Sequence, residues 1–409
     1  MAIERPKLRL HRGTTYVFNV SDSSLSSHPL KFTNDSGTSE YTTGITTSGT
    51  SGTTGATVTF AVPNDAPSNL MYYCGTHGIG MGNKVKIIDD PTVLPFVNGG
   101  TRGFMMNGRQ SPAVYNSTTG SLNVAYPYIQ YFDTTTPGNA SVFGQPHSWR
   151  GWQAGNMSNG TRALFAGGIG YYDQTDDIQY ITCATTGNAS VFGDCSTTTY
   201  GKAGASDGTK ALISSGDGSS SLQIDYVTID TLGNAQDFGD FTGYAHRNAG
   251  MSDGVKCVWN STNSYAYEYV TAATLSNAST FGSAVTYRTQ APCAHANTTY
   301  GMTIGGESTN SNEISSIEYI TIATVGNATD WGSSLPETRN ENPGTGNSNT
   351  AFSMGGNRQT STGQDADYYT NTIYAISMTT PGNNATDFGD LTAAKGGVSV
   401  SGSGHGGTQ

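Results

Sequence analysis

Four residues in the first quarter of the chain have the types and order of a metal site: His28 in HPLKF, then Cys74, His77 and Met81 in YYCGTHGIGMG. A thiolate and two imidazoles in a trigonal set, with a weak axial thioether, form the donor set of a blue-copper centre. Such soft donors suit both copper oxidation states. One histidine far upstream, followed by Cys, His and Met on a short loop, is the ligand order that such a site uses. Any metal is expected among His28, Cys74, His77 and Met81, with copper the ion that suits them; the alternative is that these Cys and His residues are only packed core.

No other constellation of comparable specificity stands out. The sequence has no G-x-S-x-G elbow, no H-E-x-x-H helix motif and no P-loop. Asp176-Asp177 and the pair Asp365 and Asp367 read as loop carboxylates whose most specific role would be to hold a cation. His147, His246 and His295 fall in loosely similar regions of three repeats, with offsets too unequal for one shared catalytic role. The expectation is a protein that is not an enzyme, although paired carboxylates from distant repeats could still build a glycosidase site.

The elements that must position the four ligands are strands. Runs such as TTYVFNV, ATVTFAV and KVKII alternate as sandwich strands do, with Gly/Ser/Thr loops between them. Residues 1–90 thus form one expected β-sandwich, joined to the rest through Asp89-Asp90-Pro91.

The remainder, residues 91–409, is built from six copies of a turn signature: GNASVFG twice, then GNAQDFG, SNASTFG, GNATDWG and NNATDFG. Their asparagines are Asn139, Asn188, Asn234, Asn277, Asn327 and Asn384, spaced by 49, 46, 43, 50 and 57 residues. Periods of this length in a β-rich chain point to the four-stranded blades of a propeller. Ahead of each turn lies a β-branched and aromatic run, from IQYFD to IYAIS. Five of these runs carry an equivalent tyrosine, Tyr131, Tyr180, Tyr226, Tyr269 and Tyr319, expected as packing between blades with the hydroxyl bonded to backbone. Phe143, Phe192, Phe238, Phe281, Trp331 and Phe388 are expected core anchors. A further strand begins near Thr101, Thr161, Thr209, Val255, Thr298 and Asn349. Three of these end in glycine pairs, such as Gly167-Gly168 and Gly355-Gly356, that resemble the di-glycine of kelch repeats in architecture only.

Counting the segments predicts how the array closes. A polar segment precedes five of these strands, whereas the sixth such segment, GGVSVSGSG from Gly396, follows the last repeat. Residues 396–407 should therefore pair with Thr101–Gly108 and leave no free sheet edge.

Composition agrees with an all-β chain on display. Only 12% of the 409 residues are charged, Gly reaches 54, and aromatics at 10% supply the burial that a disordered polar chain would lack. Residues 1–90 balance seven basic against seven acidic side chains, so the remaining 12 basic and 23 acidic residues place the whole net charge of −11 on the repeats. That disfavours nucleic acid as a partner. No apolar stretch is long enough to insert into a membrane, and the first residues carry no export signal. The five cysteines, Cys74, Cys183, Cys195, Cys257 and Cys293, are too few for a disulfide scaffold; most are expected as packed thiols, with a Cys183–Cys195 bridge left open.

The segments LRLHRGTTYVFNVSDSSLSSHPLKFT, EYTTGITT and APSNLMYYCGTHGIGMG resemble the cupredoxin-like domain of virion structural proteins from marine bacteriophages, the cyanophages and pelagiphages. The resemblance spans nearly all of residues 7–83 and is most specific at HPLKF and YYCGTH. The repeat segment Ile317 to Gly332 is similar to repeats in the same phage proteins. One departure concerns the axial ligand: three residues separate His77 from Met81, where the phage domains have two and plastocyanins four. The resemblance implies a cupredoxin-like β-sandwich followed by a six-bladed kelch-like β-propeller closed by the C-terminal strand. It also implies a virion surface protein, made in the host cytoplasm and exposed by lysis, present in multiple copies among other virion proteins. Host-surface glycan or protein is then the expected partner of the propeller. Two other functions compete with this one: a secreted copper electron-transfer protein, and a propeller hydrolase acting on surface polysaccharide.

Overall fold

The computed structural model describes residues 6–402, apart from 13, 35–36, 64–65, 89–100, 107, 117–120, 126–127, 149–153, 170–173, 217–221, 244–247, 262–263, 290–291, 309–311, 359–367 and 397–398. It is all-β, with 56% of the chain in strands and 1% helical, and the strands form several small antiparallel sheets. The chain divides into two compact units, Met1–Pro95 and Phe96–Gln409. The linker residues Asp89, Asp90 and Pro91 lie outside the described residues.

In the first unit, Thr15–Asn19, Thr57–Ala61 and Ile45–Ser48 form one sheet. Leu8–His11, Gly78–Ile88, Asn69–Cys74 and Leu30–Asn34 form the other, its first pair parallel. Strict alternation puts Val58 and Phe60 inward while their neighbours face out. They meet Phe32, Leu70, Val85 and Ile87 of the other sheet in one core, and the Phe32 and Phe60 rings lie 5.1 Å apart. Each such side chain contributes about 1.5–3 kcal/mol through burial.

Among the described residues, the second unit holds six four-stranded antiparallel sheets. The second to fifth sheets open with Ala154–Ser158, Gly204–Ser206, Ala249–Ser252 and Cys293–Ala296, and the sixth with Gly344–Gly346. Each of these polar segments is followed by an apolar hairpin partner, such as Arg162–Ala166 or Tyr300–Ile304. The first sheet takes its opening strand from the far end of the chain. Ser399–Gly402 pairs with Arg102–Met106 in the register Ser399↔Met106 to Gly402↔Gly103, where the count of segments places it, whereas Gly396 pairs with Arg109 instead. Opening strands of consecutive sheets are neighbours throughout; Gly344–Gly346 neighbours Ser399–Gly402, which in turn neighbours Ala154–Ser158. Apolar cores sit between consecutive sheets, as where Leu212, Ile224 and Phe238 of the third meet Cys257, Trp259 and Val270 of the fourth.

The turn signature explains how neighbouring sheets join. The Oδ1 atoms of Asn188, Asn234, Asn277 and Asn327 accept from the backbone amides of Gln145, Asp194, Asp240 and Ser283, each in the preceding sheet, at 3.0–3.2 Å. Asn139 of the first sheet does the same to Asp390 of the sixth at 3.0 Å. In five of the six copies the glycine that follows the aromatic makes room for this contact. A Cβ on Gly144, Gly193, Gly239, Gly282 or Gly389 would sit 1.9–2.3 Å from a carbonyl oxygen of the adjoining turn. The sixth copy departs from the pattern: at the fifth–sixth junction Asn383 rather than Asn384 takes part, its carbonyl accepting from Trp331 Nε1 at 3.0 Å.

Two features were not foreseen. Arg109–Asn116, Ser121–Ala125 and Lys395–Gly396 form an additional three-stranded sheet, because the first repeat carries an insertion whose strands find the segment just before the closing strand. The tyrosines pack, as expected, against the cores between consecutive sheets, edge-on to the aromatic of their own sheet, Tyr131 on Phe143 at 5.7 Å and Tyr319 on Trp331 at 5.4 Å. The hydroxyl of Tyr226 donates to the Gln236 side chain, not to backbone.

Candidate metal centre

The segment that carries His28 is shaped by a short 3-10 turn at Ser23–Leu25, capped by the Asp22 carboxylate, which accepts from the Ser24 amide at 2.9 Å. The His28 amide then donates to the Leu25 carbonyl, and the Gly75 amide to that of Pro29. Those two bonds hold His28 beside the end of the Asn69–Cys74 strand, where Leu30 pairs with Cys74. From Cys74 the chain turns back so that Cys74 pairs with Gly78. Gly78 adopts φ 76° to do so, a conformation costly for any side chain. His77 sits in that turn, its amide donating to Cys74 Sγ at 3.4 Å.

The result is a convergent donor set. Cys74 Sγ lies 3.6 Å from His28 Nδ1 and 3.4 Å from His77 Nδ1. The three ligand atoms fall within 4.8 Å of one another, with the imidazole centroids 4.6 Å apart. The distances test the fit of a metal. An ion about 2.3 Å from sulfur and about 2.0 Å from each nitrogen needs a sulfur–nitrogen separation of about 3.5 Å, which the side chains already have. Cys74 is buried, His28 half-buried and His77 exposed, so the site opens to solvent on the His77 side.

Met81 belongs to the same hairpin. It lies in the register irregularity between the pairs Cys74/Gly78 and Tyr72/Asn83, and it is 37% exposed. The converging set is therefore His28, Cys74 and His77, with Met81 on the adjoining arm. All five cysteines are free and buried. Cys183 and Cys195 belong to separate cores, and burial pushes each thiol up to about 12.

Of the residues singled out in the repeats, His246, Asp365 and Asp367 lie outside the described residues. His147 is exposed after the last strand of the first sheet, whereas His295 is fully buried in the opening strand of the fifth, so they occupy different places. The His295 ring is 3.1 Å from the Asn347 carbonyl through Nε2, and burial lowers its pKa to about 4. Asp176, Asp177 and Asp194 cluster within 4.8 Å, with Asp177 accepting from Ser148 and Asp176 from Thr198.

A second polar series was missed in the sequence. The residue before each tyrosine is Gln130, Gln179, Asp225, Glu268 or Glu318, and all five are buried. Each reaches into the preceding sheet and accepts from backbone amides. Gln130 takes Thr392, Gln179 takes His147, Asp225 takes Ser196, Glu268 takes Thr242, and Glu318 takes Val285 and Thr286, at 2.7–3.1 Å. Glu318 also pairs with the buried Arg288 at 2.8 Å. The signal was present, an amide or acid in IQY, IQY, IDY, YEY and IEY, but it is legible only as periodicity of a polar residue inside an apolar run.

No known protein-family model matches the chain, and no curated protein matches it in sequence.

Proposed function

We propose that this chain is a non-enzymatic structural or appendage protein of a phage particle. In this reading the first unit is a cupredoxin-like domain and the second a six-bladed β-propeller whose loops face the host surface. The propeller reading is supported by the cyclic order of neighbouring opening strands and by the clamp from Asn139 to Asp390 across the sixth–first junction. The observation that carries the non-enzymatic reading is the use made of the buried acids. Asp225, Glu268 and Glu318, buried acids repeated at one strand position, accept from backbone amides of the preceding sheet and so serve to join sheets. Assignment to a phage particle follows from the resemblance at HPLKF and YYCGTH. Labelling purified particles with an antibody to this chain tests it: label on intact particles is expected, and its absence from them overturns the assignment.

The donor geometry at Cys74 favours a second reading for the first unit, that of a copper electron-transfer domain. Copper held by His28, Cys74 and His77 would supply either a cross-link between strands or one-electron exchange. Cys74 would bind as thiolate, and the two backbone bonds that hold His28 would keep its imidazole aimed at the sulfur. Reversible one-electron redox of the copper-loaded protein would favour electron transfer over the structural clip. Release of sugar from host envelope by the chain would instead favour the polysaccharide hydrolase.

A further inference from the structure

Five of the six junctions between consecutive sheets are filled by a bulky side chain at one equivalent position, four of them in the same manner. Arg102, Arg162, Lys210 and Lys256, each opening the second strand of its sheet, donate to carbonyls in the turn of the next sheet, those of Cys183, Ile229, Ala272 and Ala323, at 2.8–3.0 Å. At the fifth junction Tyr300 takes this place and packs edge-on against Tyr319 and Trp331. Beside it in every one of these five sheets stands the tyrosine of the third strand, and the guanidinium carbons of Arg102 and Arg162 lie 5.0 and 4.9 Å from the centroids of Tyr131 and Tyr180.

At the sixth junction all of this bulk is missing. Strand register puts Thr350 where the arginines and lysines stand, opposite Ser377, and Ala375 where the tyrosines stand, opposite Phe352. Across the junction, the turn residue equivalent to the buried apolar Cys183, Ile229, Ala272 and Ile322 is Thr134, as the matching turn hydrogen bonds show. These replacements coincide with a recess of about 770 Å³ between the sixth and first sheets, within the range of small-ligand sites.

Its lining sets the ligand class. Asn349 and Asn384 present exposed amides, Thr350 presents a hydroxyl, and Phe388 and Ala375 supply apolar surface. None of the described residues that line the recess carries a charge. Amides and hydroxyls pair with a ligand that both donates and accepts, an aromatic ring covers a C–H face, and a charged ligand would find no counter-charge. We infer that this recess is a binding site for an uncharged oligosaccharide. The inference rests on the reading of the second unit as a host-facing display scaffold, and it assigns that role to one junction.

Full-length protein titrated with a panel of neutral and acidic oligosaccharides tests this. Neutral sugars should bind, and the double substitution Thr350→Arg with Ala375→Tyr should weaken binding at least tenfold. That variant restores to the sixth junction the residues that fill the others, so its fold and melting temperature should be retained. Asn349→Ala with Asn384→Ala removes exposed amides only and should also weaken binding. Failure of every neutral sugar to bind, binding confined to acidic sugars, or unchanged affinity in the filled variant overturns the inference. Particle labelling is independent of these results. A labelled particle whose protein binds no neutral sugar removes the recess alone, and a sugar-binding chain missing from particles removes the particle assignment alone.

Discussion

Asn139 accepts a hydrogen bond from the backbone amide of Asp390 at 3.0 Å, across 251 residues of sequence. Four other asparagines of the turn signature make the same bond over 37–44 residues. A local motif thus becomes the contact that joins the last sheet to the first. Two further contacts share this junction: Gln130 accepting from Thr392, and Ser399–Gly402 pairing with Arg102–Met106.

The closing contacts should govern the stability of the whole second unit. A chain ending at Lys395 loses the Ser399–Gly402 strand and exposes backbone groups of Arg102–Met106. Thermal unfolding should shift down across the repeats, while hydrogen exchange in residues 6–88 stays protected. Asn139→Ala should cost about 1–2 kcal/mol. An unchanged melt after truncation would show that the tail contributes nothing to closure.

Two glycines on either side of one contact should respond oppositely to the same change. A Cβ on Gly144 would lie 1.9 Å from the Gly187 carbonyl oxygen, whereas a Cβ on Gly187 meets nothing within 4 Å. Gly144→Ala should destabilise by about 2–4 kcal/mol, as forced displacements in packed structure do, and Gly187→Ala should fall within about 0.5 kcal/mol of the parent. Chemical denaturation of both variants checks the contrast.

At the candidate metal centre, copper(II) added to the protein should produce an intense visible thiolate-to-copper charge-transfer band. Cys74→Ser should abolish the band, and His28→Ala or His77→Ala should weaken binding at least tenfold. Met81→Leu should shift the band while leaving most of the affinity, as expected of an axial position outside the convergent set. Loss of binding with Met81→Leu comparable to that with Cys74→Ser would require Met81 to be a principal ligand.

His295 makes stability depend on pH. Burial lowers its pKa from 6.5 to about 4, so below pH 6.5 the unfolded chain takes up a proton that the folded chain refuses. Its contribution is fully present above pH 6.5 and is lost as pH falls through about 4, amounting to about 3 kcal/mol. Comparing the pH-dependence of unfolding between the parent and His295→Gln isolates this term. The parent should lose more stability than the variant between pH 7 and pH 4, and parallel curves would contradict the assignment.

Much of the architecture was legible in the chain itself. The six turn signatures, the apolar runs and the displaced polar segment after Gly396 specify strand order and closing strand, because alternation and turn chemistry are local properties of consecutive residues. His28, Cys74 and His77 were legible as ligand types in ligand order. What those features touch was decided only by tertiary structure. The side-chain oxygen of Asn139 meets the Asp390 amide only when the sixth sheet arrives beside the first, and Gln130 through Glu318 look like polar interruptions of a strand until a neighbouring sheet presents its amides. The Arg109–Asn116 sheet depends on Lys395–Gly396 coming alongside, more than 270 residues later. The recess at Ala375 and Thr350 is a matter of missing volume, and a small residue in a repeat acquires meaning only once the bulk around it has been placed.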